Sequence, residues 1–179
     1  MRPEPLLLLA LSALLLPQPA PSAPARHACD DSSVAMRYLA AIDAMDWETM
    51  AALLAEDAHY TDPTMIHFDR PAIDLQGREA IAGFWRSSSE GSGTSDITYE
   101  VTQCFETAGY HMVSLDISIS VSGAYWNVNR DEIVLPGKVI SVIRVNAGLV
   151  TEHHDYVGYA GADEAVRRLQ AEYGRREPE

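Results

Sequence analysis

The chain has 179 residues, with 13 Lys and Arg against 26 Asp and Glu, and its formal net charge is −13 at pH 7. So acidic a surface repels phosphate backbones and no basic stretch interrupts it, which leads us to expect no nucleic acid partner. The length suits a single domain with a sizeable hydrophobic core.

Residues 1–25 differ from the rest of the chain. Arg2 precedes an apolar run, LLLLALSALLL, and a proline-rich stretch follows that run. This order is typical of a cleavable export signal. The run is shorter than the roughly 20 residues that span a bilayer, although an uncleaved anchor is the alternative. We therefore expect an exported protein, periplasmic or extracellular, whose mature domain comprises residues 26–179 and has no membrane attachment.

Two cysteines, Cys29 and Cys104, remain after processing. Export would place them in an oxidising compartment, where a disulfide persists. Their positions in the sequence leave two alternatives open. Either they form a bridge that ties the amino terminus to a sheet, or they are two separate buried thiols.

Apolar residues at three- and four-residue spacing predict an opening pair of helices. The first runs from Ser33 to Met45, with Asp31 or Ser32 as its cap. The second has Asp46 as its amino-terminal cap and ends at about Glu56. These two helices would form a hairpin at the start of the domain.

The segment after this hairpin mixes turns with one short helix. HYTDP is a short extended piece, because a residue before proline avoids the helical region, and residues 64–76 form a long connection. GREAIAGFWRSS predicts a third helix, and SSSEGSGTSD predicts a flexible polar loop. A closing helix is predicted from Ala162 to Tyr173.

After Asp96 the apolar pattern changes to period two, which predicts four strands. They are ITYEVTQCFET, YHMVSLDISISV, DEIVLPGKVISVIRV and LVTEHHDYVGY. The short turns between them favour antiparallel neighbours. Helices followed by a strand meander imply an α+β domain.

This order of elements, with the stretches RYLAAIDAMDWETMAALLAEDAHYTDP, GREAIAGFW and VISVIRVNAGLVTEHHDY, resembles the SnoaL-like branch of the nuclear transport factor 2-like superfamily. The resemblance covers about residues 33–160. It implies a cone, in which a curved antiparallel sheet wraps round the amino-terminal helices to form one deep pocket, with a helix at the carboxy terminus. Homodimers are common in this superfamily, so a homodimer built on the open sheet face is a further alternative, compatible with either an enzyme or a binder. Because the superfamily hosts isomerases, cyclases, dehydratases, epoxide hydrolases and binders, the function depends on the site.

The first half resembles bacterial ketosteroid isomerase. That resemblance implies Asp62 as the general base and Tyr38 as the oxyanion donor, with Trp85 replacing a tyrosine that supports this donor. The alternatives are that Asp62 only accepts a turn hydrogen bond and that Tyr38 is a core aromatic whose hydroxyl bonds to the backbone. Ser141 falls near the second oxyanion donor, which in the isomerase is a protonated aspartate. Serine is the weaker donor, which argues against steroid isomerisation.

The last strand adds a second group of candidates. If it faces the pocket as in the family, His153, Asp155 and Val157 point inward with period two. His153 and Asp155 would then be close enough to relay a proton or to orient water. The alternative is a polar network that is only structural. Asp155 also matches an aspartate that activates water in the limonene epoxide hydrolase branch.

Apolar residues and one further carboxylate complete the expected pocket. The apolar lining comprises Phe84, Trp85, Ile143 and Val157. Asp116, polar in the middle of VSLDISISV, either faces inward or is solvated, and alternation alone does not choose; we include it in the pocket. No histidine pair has helical i, i+4 spacing and there is no Cys-x-x-Cys, so we expect no metal. No glycine-rich phosphate loop appears, and we expect no cofactor.

These features predict a cofactor-independent isomerase, lyase or hydrolase. Its substrate would be a small, largely apolar organic molecule, converted by general acid-base chemistry in the pocket. The alternative is a non-catalytic module of the same fold that binds a ligand or a partner protein.

Overall fold

The structure is a computed structural model that describes residues 29–68 and 71–176. The predicted export signal lies outside these residues. Within them, no helix combines the length and the apolar character that a membrane span requires.

Four α-helices and six strands make up the described part of the fold. The helices are α1 (Val34–Asp43), α2 (Trp47–Leu53), α3 (Arg78–Ser92) and α4 (Ala160–Tyr173), and a 3₁₀ helix spans Pro63–Phe68. The strands are β1 (Leu54–Asp62), β2 (Ile73–Gln76), β3 (Asp96–Thr107), β4 (Tyr110–Ser122), β5 (Glu132–Asn146) and β6 (Leu149–Val157).

Side-chain caps set the starts of the first two helices. Ser33 caps α1 by accepting a hydrogen bond from the backbone N–H of Met36, so the prediction of Asp31 or Ser32 as the cap is wrong. The predicted cap of α2 is confirmed, because Asp46 accepts hydrogen bonds from both the backbone N–H and the hydroxyl of Thr49. Each cap satisfies an amide that the first helical turn leaves without a partner.

The second helix ends earlier than predicted. It stops at Leu53, and β1 begins at Leu54, whose φ of −83° and ψ of 143° are extended. β1 pairs with β2 on one side and with β6 on the other. Leu54 pairs with Val150 of β6, and from His59 onward both ladders are formed. Residues 54–57 are extended although their sequence also suits a helix, because tertiary pairing outweighs a weak local propensity.

Two segments are more ordered than predicted. They are the connection from residue 64 to residue 76 and the segment SSSEGSGTSD, residues 87–96. The connection contains most of the 3₁₀ helix and the short strand β2. α3 continues through the serines to Ser92, whose hydroxyl donates to the carbonyl of Ser88 one turn earlier. The helix ends at Gly93, whose φ of 62° is left-handed and therefore suits glycine.

The six strands form one sheet in the order β2-β1-β6-β5-β4-β3. The four predicted strands are confirmed, and each is antiparallel to the next along the chain. β1 and β6, by contrast, pair in parallel. The predicted α+β class, with helices first and then a strand meander, is therefore confirmed.

Two hydrophobic cores lie against the sheet. The main core joins α1, α2, β1 and α3 to the inner faces of β4, β5 and β6. The second core joins α4 to the ends of β4 and β5 around Val121, Leu135 and Val166. The helices thus cover the inner face of the sheet at two places, and the space between them becomes the site described below.

A disulfide joins Cys29 to Cys104, with Cα atoms 5.5 Å apart. It decides between the two alternatives that the sequence left open. Because Cys104 lies on β3, the bridge ties the segment that precedes α1 to the edge of the sheet.

Candidate functional site

A cavity of about 740 Å³ opens along the inner face of the sheet. It lies between the sheet, α3 and the connection after β4, which contributes Tyr125 and Trp126 to the lining. Most of the wall is apolar, with side chains such as Leu39, Phe84, Trp85, Ile117, Ile119 and Val139. The volume falls within the range of sites for small organic molecules.

The polar groups of the cavity gather where β1, β6 and β5 lie side by side. Ser141 of β5 pairs with Asp155 of β6, and Tyr60 of β1 pairs with His153 of β6. Asp62 follows Tyr60 by two residues on β1, and Asp155 follows His153 by two residues on β6. Side chains two residues apart share one face of a strand. The five residues that face the cavity here are Tyr60, Asp62, Ser141, His153 and Asp155.

His153 connects the cavity to the interior. Its Nδ1 lies 3.1 Å from the hydroxyl of Tyr38, and its Nε2 lies 2.8 Å from Oδ1 of Asp155. With its hydrogen on Nε2, the ring donates to Asp155 and accepts from Tyr38. Burial, and then the charge of Asp155, raise the pKa of Tyr38 well above its ordinary value, which keeps this phenol protonated.

Asp155 is held by three donors. Besides His153, the hydroxyl of Ser141 donates to Oδ1 at 2.5 Å and the hydroxyl of Tyr60 donates to Oδ2 at 3.2 Å. Burial acts to raise the pKa of Asp155, but the electrostatic interaction with His153 and the hydrogen bonds from His153, Ser141 and Tyr60 outweigh it, so the pKa is lowered. Asp155 is therefore a carboxylate at neutral pH.

Asp62 is only 1% exposed and has a different set of partners. Its Oδ1 accepts hydrogen bonds from the backbone N–H and the hydroxyl of Thr64, and its Oδ2 accepts from the hydroxyl of Tyr159 at 2.5 Å. Burial and the bond to Asp62 raise the pKa of Tyr159. Asp62 therefore forms a turn with Thr64 and faces the cavity at the same time.

The structure gathers most of the predicted site residues at this cavity. Its lining includes Asp62, Phe84, Trp85, Ser141, His153, Asp155 and Val157. Tyr38 and Ile143 are fully buried and lie in the main core instead, outside that lining. Because the hydroxyl of Tyr38 is turned to His153, it is not placed to donate to an oxyanion in the cavity, contrary to the sequence prediction.

Asp116 does not belong to the cavity. Its neighbours on β4, Leu115 and Ile117, face inward, so strand alternation turns Asp116 to the outer face. There it forms an ion pair with Lys138 of β5 at 2.6 Å. Its inclusion in the pocket was therefore wrong.

Three tyrosines of the site were not predicted. Tyr60 could have been found, because it precedes Asp62 by two residues in HYTDP and so shares its face of the strand. Tyr99 belongs to no motif, yet it alternates with Ile97 on β3, and both residues line the cavity. No sequence signal indicates Tyr159, which follows the last strand and reaches Asp62 only through the fold.

Among the described residues, no group of three His, Cys, Asp or Glu side chains is arranged to hold a metal ion. The polar end of the cavity instead consists of two carboxylates, one imidazole and several hydroxyls. Such a set can accept, donate and relay protons to an organic molecule.

A family model described as the SnoaL-like domain matches residues 35–153, which is more than half of the chain. The chain belongs to the SnoaL-like domain family. The match ends at His153, so it includes Asp62 and Ser141 but not Asp155. No curated protein matches this SnoaL-like chain.

Solved structures share the fold. A protein of Shewanella denitrificans OS-217 described as a SnoaL-like polyketide cyclase has a TM-score of 0.66 and 15% identity, over 75% of this chain and 95% of that chain. A Catenulispora acidiphila DSM 44928 protein with a ketosteroid isomerase-like fold, in complex with trimethylamine, has a TM-score of 0.61 and 15% identity, over 76% and 93%. An LEH-like epoxide hydrolase of M. tuberculosis has a TM-score of 0.58 and 15% identity, over 77% and 90%.

At these identities the likeness shows the fold alone. The predicted nuclear transport factor 2-like cone, with a curved sheet round the amino-terminal helices and a carboxy-terminal helix, is confirmed. The reaction has to be argued from the site.

Proposed function

We propose that this SnoaL-like protein is a cofactor-independent isomerase, lyase or hydrolase that acts on a small, largely apolar organic molecule. The observation that carries the proposal is a pair of buried carboxylates, Asp62 and Asp155, on one wall of a largely apolar cavity. Buried charge is costly unless it is paired and hydrogen-bonded. Titratable groups held in this way in a cleft are candidates for a functional site.

The two carboxylates have different surroundings, which supports different roles. Asp155 accepts from three side chains and its pKa is lowered, so it is a poor proton acceptor and serves as a fixed negative charge. Oδ2 of Asp62 accepts from Tyr159. Asp62 also accepts two hydrogen bonds from Thr64, but among the described residues it has no histidine partner, and it lines the cavity wall. We assign Asp62 as the general base, which takes a proton from a C–H bond beside a carbonyl group or from an attacking water molecule.

The Asp62→Asn variant tests this role. It keeps the size of the side chain but removes the proton acceptor, so turnover should fall by about 10²- to 10⁴-fold while the fold is retained. Turnover is measured by mass spectrometry on a panel of apolar enones, lactones and epoxides, with circular dichroism to check folding. Asp74→Asn is the matched control, since Asp74 is an exposed carboxylate of β2. Full activity of Asp62→Asn would remove the base assignment.

A non-catalytic module is the second candidate. One observation favours it: Asp62, Asp155 and His153 are all hydrogen-bonded within the protein and need no ligand. In addition, the outer face of the sheet exposes Phe105 and Met112, each by just over half. A second copy of the chain that covered this face would give a homodimer, which is compatible with either function.

Native followed by denaturing mass spectrometry of the protein expressed for export separates these candidates. A bound organic molecule that the wild-type chain converts supports the enzyme, whereas an unchanged ligand in both wild type and Asp62→Asn favours the binding module. The same spectra report the oligomeric state. They also test export, which we propose from residues 1–25 and which the Cys29–Cys104 disulfide supports. A mature chain that begins near Arg26 is the expected result.

A further inference from the structure

The phenol hydroxyl of Tyr99 has no hydrogen-bond partner among the described residues. Tyr99 lies on β3 and lines the cavity. Its backbone N–H donates to Asp43, whereas its phenol oxygen bonds to none of the residues that the structure describes. Tyr99 is half-buried, and it forms part of the cavity wall. It is therefore available to a bound molecule.

The other hydroxyls near the carboxylates are already in use. Tyr60 and Ser141 donate to Asp155, and Tyr159 donates to Asp62. A ligand could accept a hydrogen bond from one of these hydroxyls only if the hydroxyl's bond to a buried carboxylate were broken, which is unfavourable. Tyr99 can donate to a ligand without such a loss.

The hydroxyl of Ser89 is another candidate donor to a ligand, but it lies elsewhere. Ser89 is 9% exposed and lines the cavity from the last turns of α3, where the helix approaches the end of β4 at Ser122. Tyr99, in contrast, packs against the main core, which includes Tyr60, and the hydroxyl of Tyr60 donates to Asp155. Of the two, Tyr99 is therefore the hydroxyl placed with the carboxylates.

The position of Tyr99 is fixed before any ligand binds. Oδ1 of Asp43, at the end of α1, accepts the backbone N–H of Tyr99 at 2.6 Å. On the other side, Tyr99 pairs with Ile117 of β4 in the sheet register. These contacts hold the backbone of Tyr99, and its side chain packs against the main core. A side chain that is already ordered loses less conformational entropy when the ligand binds, which favours affinity.

The chemistry of this hydroxyl selects the kind of group that it binds. Burial, and then the charges of Asp155 and Asp43, raise the pKa of Tyr99, so the phenol stays protonated and neutral. A neutral O–H donor in an apolar cavity suits a neutral oxygen acceptor. It also stabilises negative charge that develops on that oxygen during a reaction.

We propose that Tyr99 donates a hydrogen bond to a carbonyl oxygen of the bound molecule, so that the ligand is an uncharged, largely apolar carbonyl compound. This inference rests on the proposed function, because it takes the cavity as the binding site. Tyr99 is then the hydrogen-bond donor to the ligand oxygen. The sequence assigned this role to Tyr38, whose hydroxyl is buried against His153.

The test uses two probes of nearly the same shape, benzophenone labelled with ¹³C at its carbonyl carbon and diphenylmethane, which lacks the oxygen. Binding of each is measured to the full chain and to Tyr99→Phe, which removes only the hydroxyl. Tyr125→Phe is the matched control, because Tyr125 also lines the cavity but is 49% exposed. The ¹³C chemical shift of the bound ketone reports the hydrogen bond directly.

We expect Tyr99→Phe to weaken benzophenone binding by about two- to twelvefold, the change for one neutral hydrogen bond. Diphenylmethane binding should not change, and the ¹³C shift should move only in Tyr99→Phe. An unaltered ¹³C shift in Tyr99→Phe would overturn the role of Tyr99 while leaving the proposed function intact. If neither probe bound to the wild-type chain, the proposed apolar ligand class and the role of Tyr99 would both be overturned.

Discussion

Asp155 keeps its charge inside the protein because His153, Ser141 and Tyr60 all donate to it. Strand alternation in HHDY was enough to predict that His153 and Asp155 share a face. It was not enough to predict Ser141 and Tyr60 as donors, because they come from two other strands. The partners of a buried group depend on the sheet order, which a local pattern does not contain.

The ionisation of Asp155 should make stability depend on pH in acid. Its pKa in the folded chain lies below the ordinary value of 3.8, so the unfolded chain binds more protons in the interval between the two values. The stability that this carboxylate contributes is present above pH 3.8 and is lost as the pH falls through the folded pKa. The Asp155→Asn variant should therefore show a shallower fall in the free energy of unfolding below about pH 4.

Urea denaturation at a series of acidic pH values measures this dependence. Ser141→Ala is an informative companion variant, because it removes one donor and should give a slope between those of wild type and Asp155→Asn. A wild-type slope in Asp155→Asn would contradict the lowered pKa.

At the scale of elements, long periodic segments were predicted well and short or ambiguous ones were not. The four long strands are confirmed, whereas β2 was missed because four residues carry almost no periodic signal. The sequence predicts helix for the start of β1 because its residues suit both states, whereas Leu54 pairs with Val150 of β6 and begins the strand. α3 continues through serines whose composition suits a loop, and the hydroxyl of Ser92 bonds to the preceding turn.

The connection between β4 and β5 requires glycine at position 123. A Cβ atom there would overlap the carbonyl oxygen of Arg130, so Gly123→Ala should destabilise the protein by about 1–3 kcal/mol. Gly83 is the matched control, because it lies within α3 and a Cβ there meets nothing within 4 Å. Gly83→Ala should stabilise by about 0.5–1 kcal/mol. Chemical denaturation measures the free energy of unfolding of both variants. Equal changes in Gly123→Ala and Gly83→Ala would contradict the steric argument.

At the scale of the whole molecule, the cavity exists because two cores hold the sheet at separate places. The main core packs α1, α2 and α3 on the sheet, and the second core packs α4 near its other end. The disulfide adds a covalent link between the segment before α1 and the edge strand β3. It therefore restrains the side of the cavity that carries Tyr99.

Loss of this disulfide should lower stability substantially. The bridge joins residues 75 apart in the sequence, and the chain-entropy contribution for a loop of this length is ~4.5 kcal/mol. The double variant Cys29→Ser, Cys104→Ser should lose up to that amount in urea denaturation. A reducing agent should destabilise the wild-type chain and leave the double variant unchanged. Equal sensitivity of both proteins would contradict a structural disulfide.

The sequence by itself determined the α+β class, the four long strands, the family and the inward face of β6, because each rests on a local period or a continuous motif. Only the tertiary structure decided that Tyr38 lies behind His153, that Asp116 faces outward, and that Cys29 meets Cys104. It also brought Tyr99 and Tyr159 to the cavity. These contacts join residues far apart in the chain, and their geometry depends on how the sheet curves round the helices.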